Sequence, residues 1–339
     1  MSLISMPESD TPPLADRLPM LDVYLPMMQS AALLAAGRLG LFEALAAGPL
    51  SVESLAQLLN SDSQSLGRLV DFLLALKFLQ QSDQGVCNAP HTRRWFTSAG
   101  SVDYTPGLRW TQAVWNMVGE LGEVVQSGAP REILWDRMRV SPQLGTDFSA
   151  YMRAFARDLG PDLLRLVPLQ SDHVRLLDLG GSHCLHSMRF CAHYPQLQAT
   201  IVDLPSALQD TTEALEKAGL SGRIKLSPGN LLQHPWDHGQ DVVFYLSVAH
   251  NQTPADNQQV LRRIRACLNP GGMLVIHEYL ADFLENPYYA AFRLTLLLET
   301  GTTIYAYADF ESWLLAVGFT EVQRIDLSPV EKGSLLIAR

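Results

Sequence analysis

The first part of the chain carries apolar residues at the spacing of helices that bury one face. Between residues 24 and 46 the apolar positions recur mostly every three residues, and Gly37 and Gly40 mark a break. A second helix is predicted at residues 51–59, because it opens on a serine with a carboxylate in its first turn. A third is predicted at residues 63–79.

Short apolar stretches within residues 79–89 flank the polar turn 82–85, which ends on glycine and predicts a β-hairpin. Helices followed by a hairpin are the order of a winged helix. A winged helix that reads DNA needs cations to meet phosphates, and the third helix offers only Arg68 and Lys77. We therefore interpret this domain as a protein–protein interface.

A second helical region, residues 103–167, is rich in large side chains at helical spacing. These are Trp110, Trp115, Met117, Trp135, Met138, Met152 and Phe155. Such residues line a pocket for an aromatic substrate or belong to the core, and the spacing alone does not separate the two. We predict that Trp115, Met152 and Phe155 bind this substrate.

From residue 174 onward, short apolar runs alternate with helical patterns. Strands are predicted at 174–179, 199–202, 241–248 and 272–276, and helices at 185–193, 206–218 and 256–267. This alternation predicts an α/β fold with a parallel sheet and helices on both faces. A last helix at 310–317 and an antiparallel pair at 320–326 and 333–338 complete the chain.

The first strand of this half runs into a glycine turn. Gly180 and Gly181 stand where a Rossmann-like fold meets its ligand, and glycine lets the backbone approach a ligand closely. Asp203 follows at the end of the next strand, where a carboxylate accepts hydrogen bonds from both hydroxyls of a ribose. The G-x-G-x-x-G pattern of dinucleotide binding is absent, so we predict a nucleoside cofactor without a pyrophosphate.

His250 follows the strand predicted at 241–248, at the sheet edge where ligands bind in open α/β folds. A histidine can take a proton from a phenol or another hydroxyl near neutral pH, which makes that oxygen a better nucleophile. The alternative is a hydrogen-bonded histidine at a strand end. His183 and His186 fall on one helix face, but further ligands at suitable spacing are missing, so we predict no metal site.

The amino-acid composition of the chain limits the kinds of partner that it is expected to bind. The 339-residue chain has 47% hydrophobic and 18% charged residues and a net charge of −10, as expected for a globular protein that binds a small molecule rather than nucleic acid. Polar residues interrupt the apolar stretch at 21–46, so no membrane span is predicted. The four cysteines form no CxxC pair, which favours a reducing cytoplasm without disulfides.

A series of short motifs runs through the chain in a fixed order. They are Asp178-Leu-Gly-Gly181, Tyr194-Pro195, Asp203-Leu-Pro205, Gly229-Asn-Leu231, His250, Leu268-Asn-Pro-Gly-Gly272, Glu278 and Gly318-Phe319. This order resembles the class I, S-adenosylmethionine-dependent small-molecule O-methyltransferases of the caffeate and hydroxyindole type, in their bacterial secondary-metabolism branch. The resemblance covers nearly the whole chain.

The resemblance implies a Rossmann-like domain preceded by a mainly helical winged-helix dimerisation domain, and therefore a homodimer. The implied cofactor is S-adenosyl-L-methionine, which would contact Gly180, Gly181 and Asp203, with Asn230 and Leu231 flanking its adenine. The resulting domains are a disordered N-terminus at 1–17, the dimerisation domain at 18–102, a helical acceptor-pocket region at 103–167 and the cofactor domain at 168–339.

By the same resemblance, His250 is the general base and Glu278 is the carboxylate that orients it. The family's second carboxylate has no counterpart, because Thr302-Thr-Ile-Tyr305 occupies that stretch. Three further departures are Cys184 in place of the last glycine of a GGGxG turn, Asn230-Leu231 where an Asp followed by Phe or Met is usual, and Asn251-Gln252 where Asp-Trp usually follows the histidine. A catalytic pair of His250 and Glu278 is therefore expected.

The leading hypothesis is methyl transfer to a hydroxyl of an aromatic or polyketide-like small molecule. Two hypotheses compete with it. One is a methyltransferase fold that binds the cofactor but catalyses hydroxylation, decarboxylation or cyclisation, which the altered glycine turn suggests. The other is a transcriptional regulator that uses the winged helix on DNA, which the charge balance disfavours.

Overall fold

The computed structural model describes residues 19–100, 103–208, 211–328 and 332–339. The chain divides into two compact units between Arg109 and Trp110. The predicted disordered segment, residues 1–17, lies outside the described residues. The predicted boundaries after residues 102 and 167 stay predictions.

The first unit is mainly helical. Its elements are α1 (Pro19–Leu39), α2 (Leu41–Ala44), α3 (Val52–Leu58), α4 (Ser63–Ala75), β1 (Leu79–Ser82), β2 (Gly85–Asn88) and α5 (Pro90–Phe96). The break between α1 and α2 falls at Gly40, whose φ of +73° favours glycine. The side chains of Ser51 and Asp62 accept the backbone N–H groups that start α3 and α4. The helical order and the hairpin are thus confirmed, although α4 ends at Ala75 because Leu79 belongs to the hairpin.

The helix α6 (Thr105–Val118) begins in the first unit and continues into the second. Three further helices, α7 (Leu121–Ser127), α8 (Leu134–Val140) and α9 (Pro142–Leu166), precede the sheet. The long helix α9 buries one face through Ala156, Leu159 and Leu163. The helical region predicted from residue 103 onward is therefore present.

The second unit is built on a seven-stranded sheet with the order β5-β4-β3-β6-β7-β9-β8. Its elements are β3 (Arg175–Leu179), α10 (Leu185–His193), β4 (Gln198–Asp203), α11 (Thr211–Lys217), β5 (Ile224–Pro228), β6 (Gln240–Leu246), α12 (Pro254–Cys267), β7 (Leu268–Glu278), α13 (Pro287–Glu299), α14 (Tyr307–Ala316), β8 (Val322–Ser328) and β9 (Gly333–Ala338). The strands from β5 to β7 are parallel, and β9 pairs antiparallel with both β7 and β8. The α/β class predicted from the sequence is confirmed.

Two apolar cores cover the sheet, which explains the continuous apolar runs of the central strands. One contains Leu179, Val243 and Ile276, and the other contains Leu176 and Phe244. Since β3 lies between β4 and β6, the carboxyl ends of these strands meet at one edge of the sheet. The functional side chains come from this edge.

Several boundaries differ from the prediction. The strand predicted to reach residue 248 ends at Leu246, because Ser247 adopts a φ of +57° and Ala249–Asn251 form a 3-10 helix. The elements α5, β5 and α13 were not predicted, since their patterns are short or apolar on several sides. In the described part of the chain, no helix is long and apolar enough to cross a bilayer.

Candidate active site

The glycine turn after β3 needs both of its glycines. Gly180 has a φ of +78°, and a Cβ there would come within 2.4 Å of the Val248 side chain. A Cβ on Gly181 would meet the Asp178 carboxylate at 2.4 Å. Such distances are impossible without movement, so this turn excludes side chains and leaves its backbone open to a ligand.

Asp203 joins this turn to the end of β4. Its Oδ2 accepts a hydrogen bond from the backbone N–H of Ser182 at 2.9 Å, and its Oδ1 accepts one from Leu204 at 2.7 Å. Each oxygen keeps a further lone pair for a ligand. Removal from water raises the pKa of Asp203 to about 6, and the two backbone hydrogen bonds oppose that rise.

Asp178, beneath the turn, is almost fully buried and accepts a hydrogen bond from the Ser187 hydroxyl at 2.6 Å. Its burial raises the pKa of this carboxyl to about 7. Cys184 also adopts a left-handed conformation, with a φ of +56°, but its side chain is fully buried and its sulfur lies 3.2 Å from that of Met188. The apolar core under α10 thus takes up the side chain that departs from the glycine-rich motif.

Arg153 on α9 was not predicted from the sequence. Its positive charge acts to lower the pKa of His183 and of Cys184, which lie at the glycine turn, and it adds to the burial that lowers the pKa of His183 to about 4. Its Nε is buried and has no hydrogen-bond partner among the described residues. A guanidinium with an open donor at this turn suits an anionic group of a ligand.

The residues predicted to flank an adenine lie beyond β5. Asn230 is exposed, and its Oδ1 already accepts the backbone N–H of Leu232 at 2.9 Å, so its Nδ2 is the atom left for a ligand. Leu231 is half-buried and packs against the core. Together they present one amide donor and one apolar surface.

These residues fit an S-adenosyl group. The turn at Gly180 and Gly181 is shaped for a close backbone approach, Asp203 offers acceptors to two ribose hydroxyls, and Arg153 offers a donor to a carboxylate. No group of three or more His, Cys, Asp or Glu side chains in residues 19–100, 103–208, 211–328 and 332–339 is arranged to hold a metal.

His250 and Glu278 come together across the neighbouring strands β6 and β7. The His250 Nδ1 lies 2.7 Å from Glu278 Oε2, and the backbone N–H of His250 donates to Glu278 Oε1 at 3.3 Å. His250 is 8% exposed and Glu278 is 1% exposed. A carboxylate on Nδ1 selects the tautomer that carries its proton there, so Nε2 is left as the basic nitrogen.

Asn257 on α12 fixes the short helix that carries His250. It is fully buried, its Nδ2 donates to the backbone oxygen of Ala249 at 2.9 Å, and its Oδ1 accepts the Tyr245 hydroxyl at 2.8 Å. Sequence reasoning missed this role, because a polar residue in a helix is usually exposed.

A chain of aromatic rings leads from α9 to His250. Ring centroids are 6.4 Å apart for Phe155 and Tyr279, 5.0 Å for Tyr279 and Phe292, and 5.2 Å for Phe292 and His250. We call these three aromatic residues, Phe155, Tyr279 and Phe292, the aromatic wall. The sequence predicted Phe155 but missed the other two members.

The other predicted acceptor residues lie on α9 and α6. Met152 is half-buried on α9, one turn before Phe155. Trp115 on α6 is 38% exposed and lies outside the buried clusters of the described residues. The structure therefore brings Phe155 into the group around His250.

A cavity of about 790 Å³ opens at another place, near Arg175, Gln198 and Ile224 at the amino ends of β3, β4 and β5. Ligands of open α/β sheets bind at the carboxyl ends of the strands, where the glycine turn, Asp203 and His250 lie. This cavity is separate from the chemistry described above.

Comparison with known sequences decides the family. A profile described as "O-methyltransferase domain" matches residues 120–320, more than half of the chain. The chain belongs to this family. The O-methyltransferase dimerisation domain matches residues 21–99. This O-methyltransferase family member is therefore an enzyme, and its cofactor is S-adenosyl-L-methionine.

Named relatives of this methyltransferase act on different atoms. The 3-hydroxy-5-methyl-1-naphthoate 3-O-methyltransferase of Streptomyces sahachiroi is 28% identical over 325 residues, 94% of each chain. The L-tyrosine C(3)-methyltransferase of Streptomyces lavendulae is 28% identical over 250 residues, 70% of this chain and 64% of the relative. Both matched proteins carry the names of methyltransferases.

A solved structure agrees with the fold. Human N-acetylserotonin methyltransferase in complex with S-adenosylmethionine superposes with a TM-score of 0.84 and 21% identity, over 98% of this chain and 99% of that one. At this identity the similarity shows the fold of the methyltransferase. The identity of its acceptor has to be argued from the residues of the site.

Proposed function

We propose that this methyltransferase transfers the methyl group of S-adenosyl-L-methionine to a hydroxyl of an aromatic or polyketide-like small molecule, with His250 as general base. The observation that supports this most directly is the 2.7 Å contact between His250 Nδ1 and Glu278. It leaves Nε2 as the base, beside the rings of the aromatic wall.

The cofactor, when bound, supplies an electrophilic methyl group on a sulfonium. His250 Nε2 accepts the proton of the acceptor hydroxyl, which leaves a more nucleophilic oxygen. Glu278 stabilises the positive ring that results and holds its orientation, as a carboxylate partner of a catalytic histidine does. The buried setting of the pair excludes water from the proton transfer.

On the cofactor side, we assign Asp203 to the ribose, Gly180 and Gly181 to the close backbone approach, and Asn230 and Leu231 to the adenine. Arg153 is assigned to the methionine carboxylate, because its Nε has an open donor beside the turn. Calorimetry with S-adenosylhomocysteine tests this last assignment, since Arg153→Met should weaken binding and leave the fold intact.

On the acceptor side, we assign Phe155, Met152 and Trp115 to substrate binding, with Tyr279 and Phe292 added from the structure. Aromatic rings stack on an aromatic acceptor, which is the class named for the naphthoate and tyrosine relatives. Trp115 is exposed and contributes only to acceptors that extend to α6.

The position of Cys184 in the structure removes the reason for proposing a non-methylating reaction. Cys184 suggested a changed reaction, but its side chain lies in the core, with burial raising the pKa of the thiol to about 11. A non-methylating reaction stays a hypothesis without a specific observation in its favour.

The partner and location also belong to this proposal. We infer a cytoplasmic homodimer that uses neither nucleic acid nor a membrane. The match to a dimerisation domain supports the dimer, as do exposed apolar side chains on α1, among them Val23 at 64% and Tyr24 at 55% exposure. Sedimentation equilibrium should give the mass of two chains, and a gel shift with DNA should show no complex at low salt.

The main experiment uses a methyl-labelled cofactor and a panel of phenols and naphthols. Label that appears in a methyl ether supports the proposed reaction. Label on carbon or nitrogen contradicts the hydroxyl acceptor, and an altered product without label supports the non-methylating hypothesis.

A further inference from the structure

The segment that carries Asn230 and Leu231 is built from turns. Residues 229–239 connect β5 to β6, and we call them the β5–β6 loop. The loop starts beside Asp203, because the backbone N–H of Gly229 donates to the backbone oxygen of Asp203 at 2.8 Å. A segment of turns has few backbone hydrogen bonds of its own, so its position depends on side chains that reach it from other elements.

Arg263 on α12 contacts the β5–β6 loop at three residues. Its two terminal nitrogens donate to the backbone oxygens of Leu231 and His234. The same guanidinium lies over the ring of Trp236, with its central carbon 3.8 Å from the ring centroid. A planar guanidinium makes all three contacts at once, because its donors lie in the plane and its face stays free to stack on an aromatic ring.

Other side chains hold the loop at single points. The Nε2 of Gln259 donates to the backbone oxygen of Leu232 at 3.1 Å, and the Ser227 hydroxyl lies 2.8 Å from the Nε2 of His234. Gln259 is exposed, whereas Arg263 is half-buried. The hydrogen bonds of Arg263 are therefore less open to competition from water than that of Gln259.

Arg263 spends its charge on neutral oxygens. None of the ion pairs in the described part of the chain includes it, and removal from water lowers the pKa of its guanidinium. Hydrogen bonds from a charged donor are stronger than those between neutral groups. The cost of burying this cation is thus offset by contacts with a single loop, and those contacts fix where the loop lies.

The same helix also holds the segment of the proposed base. Asn257 on α12 donates to the backbone oxygen of Ala249, in the 3-10 helix that contains His250. Arg263 lies six residues further along α12 and contacts the β5–β6 loop instead. Loss of Arg263 should therefore release the loop and leave His250 in place, because the contacts of Asn257 remain.

We propose that Arg263 is a positioning residue for the cofactor, which holds the β5–β6 loop where Asn230 and Leu231 meet the adenine. This inference rests on the proposed function, which assigns those two residues to the adenine. In this role Arg263 acts through the loop and touches neither cofactor nor acceptor. Its loss raises the cost of ordering the loop, so every ligand that contains the adenine should bind more weakly.

The experiment uses two ligands that share the adenine. S-adenosylhomocysteine and 5′-methylthioadenosine, which lacks the amino-acid end, are titrated by calorimetry into the full chain. Arg263→Met should weaken both by the same factor, about tenfold or more, because the loop contacts only the part that they share. Arg263→Lys keeps the charge but not the planar fork of donors, so it should recover only part of the affinity. Arg153→Met should weaken S-adenosylhomocysteine alone.

Steady-state kinetics separate positioning from a general loss of structure. With labelled cofactor, Arg263→Met should raise the KM for the cofactor and keep kcat at saturation within about twofold of the wild type, as expected when only binding is lost. The matched control is Arg262→Met, at the exposed neighbour on α12, which should change neither KM nor the two affinities.

A second variant tests the same contact from the loop. Trp236→Leu removes the ring on which Arg263 lies and keeps the cation, so it should weaken both ligands by a smaller factor, about threefold. The double variant should bind no more weakly than Arg263→Met, because the two residues act through one contact. A lower kcat with an unchanged KM, or a loss of affinity that 5′-methylthioadenosine does not share, overturns the inference.

Failure of the proposed function gives a different result. Asn230→Ala should also weaken 5′-methylthioadenosine if the loop meets the adenine. If neither Asn230→Ala nor Arg263→Met changes the affinity for this ligand, the adenine assignment is wrong and the role of Arg263 falls with it. If only Asn230→Ala weakens binding, the adenine assignment stands and only the positioning role is wrong.

Discussion

The two sides of the site are built in different ways. The cofactor side comes from one short stretch of chain and the end of the next strand, and Asp203 already has backbone N–H partners on both oxygens. The acceptor side gathers Phe155, His250, Glu278 and α13 from distant parts of the second unit.

This difference shows which half of the reaction the fold constrains. In the proposed function, a turn that a single Cβ would disrupt holds the cofactor, whatever the acceptor is. The acceptor region consists of side chains on helices, which can change without disturbing the sheet. The named relatives agree with this, since one is named for methylation of an oxygen and another for methylation of a carbon.

The largest expected effect is a loss of turnover when the proposed general base, His250, is replaced. It separates the two sides of the site, because the acceptor side is changed and the cofactor side is not. His250→Ala should lower turnover by about 100-fold to 10,000-fold, the usual contribution of general acid–base catalysis, with affinity for S-adenosylhomocysteine kept within about threefold. The measurements are turnover with labelled cofactor and calorimetry. His193→Ala, at an exposed histidine that ends α10, is the control and should behave as wild type. Unchanged turnover in His250→Ala would remove the base assignment.

The next largest effect is a loss of cofactor affinity, which is expected from a change on the cofactor side alone. Gly180→Ala should weaken S-adenosylhomocysteine binding by about tenfold to 100-fold, because a left-handed alanine is strained and its Cβ meets Val248. Adding Val248→Ala relieves the contact but not the strain, so the double variant should recover only part of the affinity.

Gly222→Ala is the matched control for that variant. Its φ is not in the left-handed region, and a Cβ there meets no atom within 4 Å. Wild-type affinity for Gly180→Ala in calorimetry would show that the turn does not approach the cofactor.

The smallest effect concerns pH. Asp203→Asn should weaken S-adenosylhomocysteine binding by about tenfold, since an amide is a poorer acceptor for two hydroxyls than a carboxylate. In the wild type, the affinity should fall as the pH drops through about 6, because the pKa of Asp203 is raised to that value and protonation removes an acceptor.

Calorimetry across this pH range provides the check. The amide that Asp203→Asn introduces has no proton to gain, so the affinity of this variant should stay level where that of the wild type falls. Asp237→Asn, at an exposed aspartate, should keep the wild-type pH dependence. A parallel fall in wild type and Asp203→Asn would assign the pH dependence to another group.

Much of the fold and part of the site followed from local patterns. Strand and helix alternation predicted the sheet, and α10 was predicted with its observed bounds because a glycine turn precedes it and a polar end follows it. Asp203 was found because the end of a strand after a glycine turn is a defined place in a parallel sheet. The pair of His250 and Glu278 was predicted through a family resemblance, and its geometry came from the structure.

The amino-acid sequence by itself determined the periodicity, the glycine turn and the acidic strand end, because each depends on residues that are neighbours in the chain. Only the tertiary structure decided that Cys184 packs into the core and that Phe292 contacts His250. The reason is physical, since burial and electrostatic environment arise from segments that are far apart in sequence and are brought together only by packing.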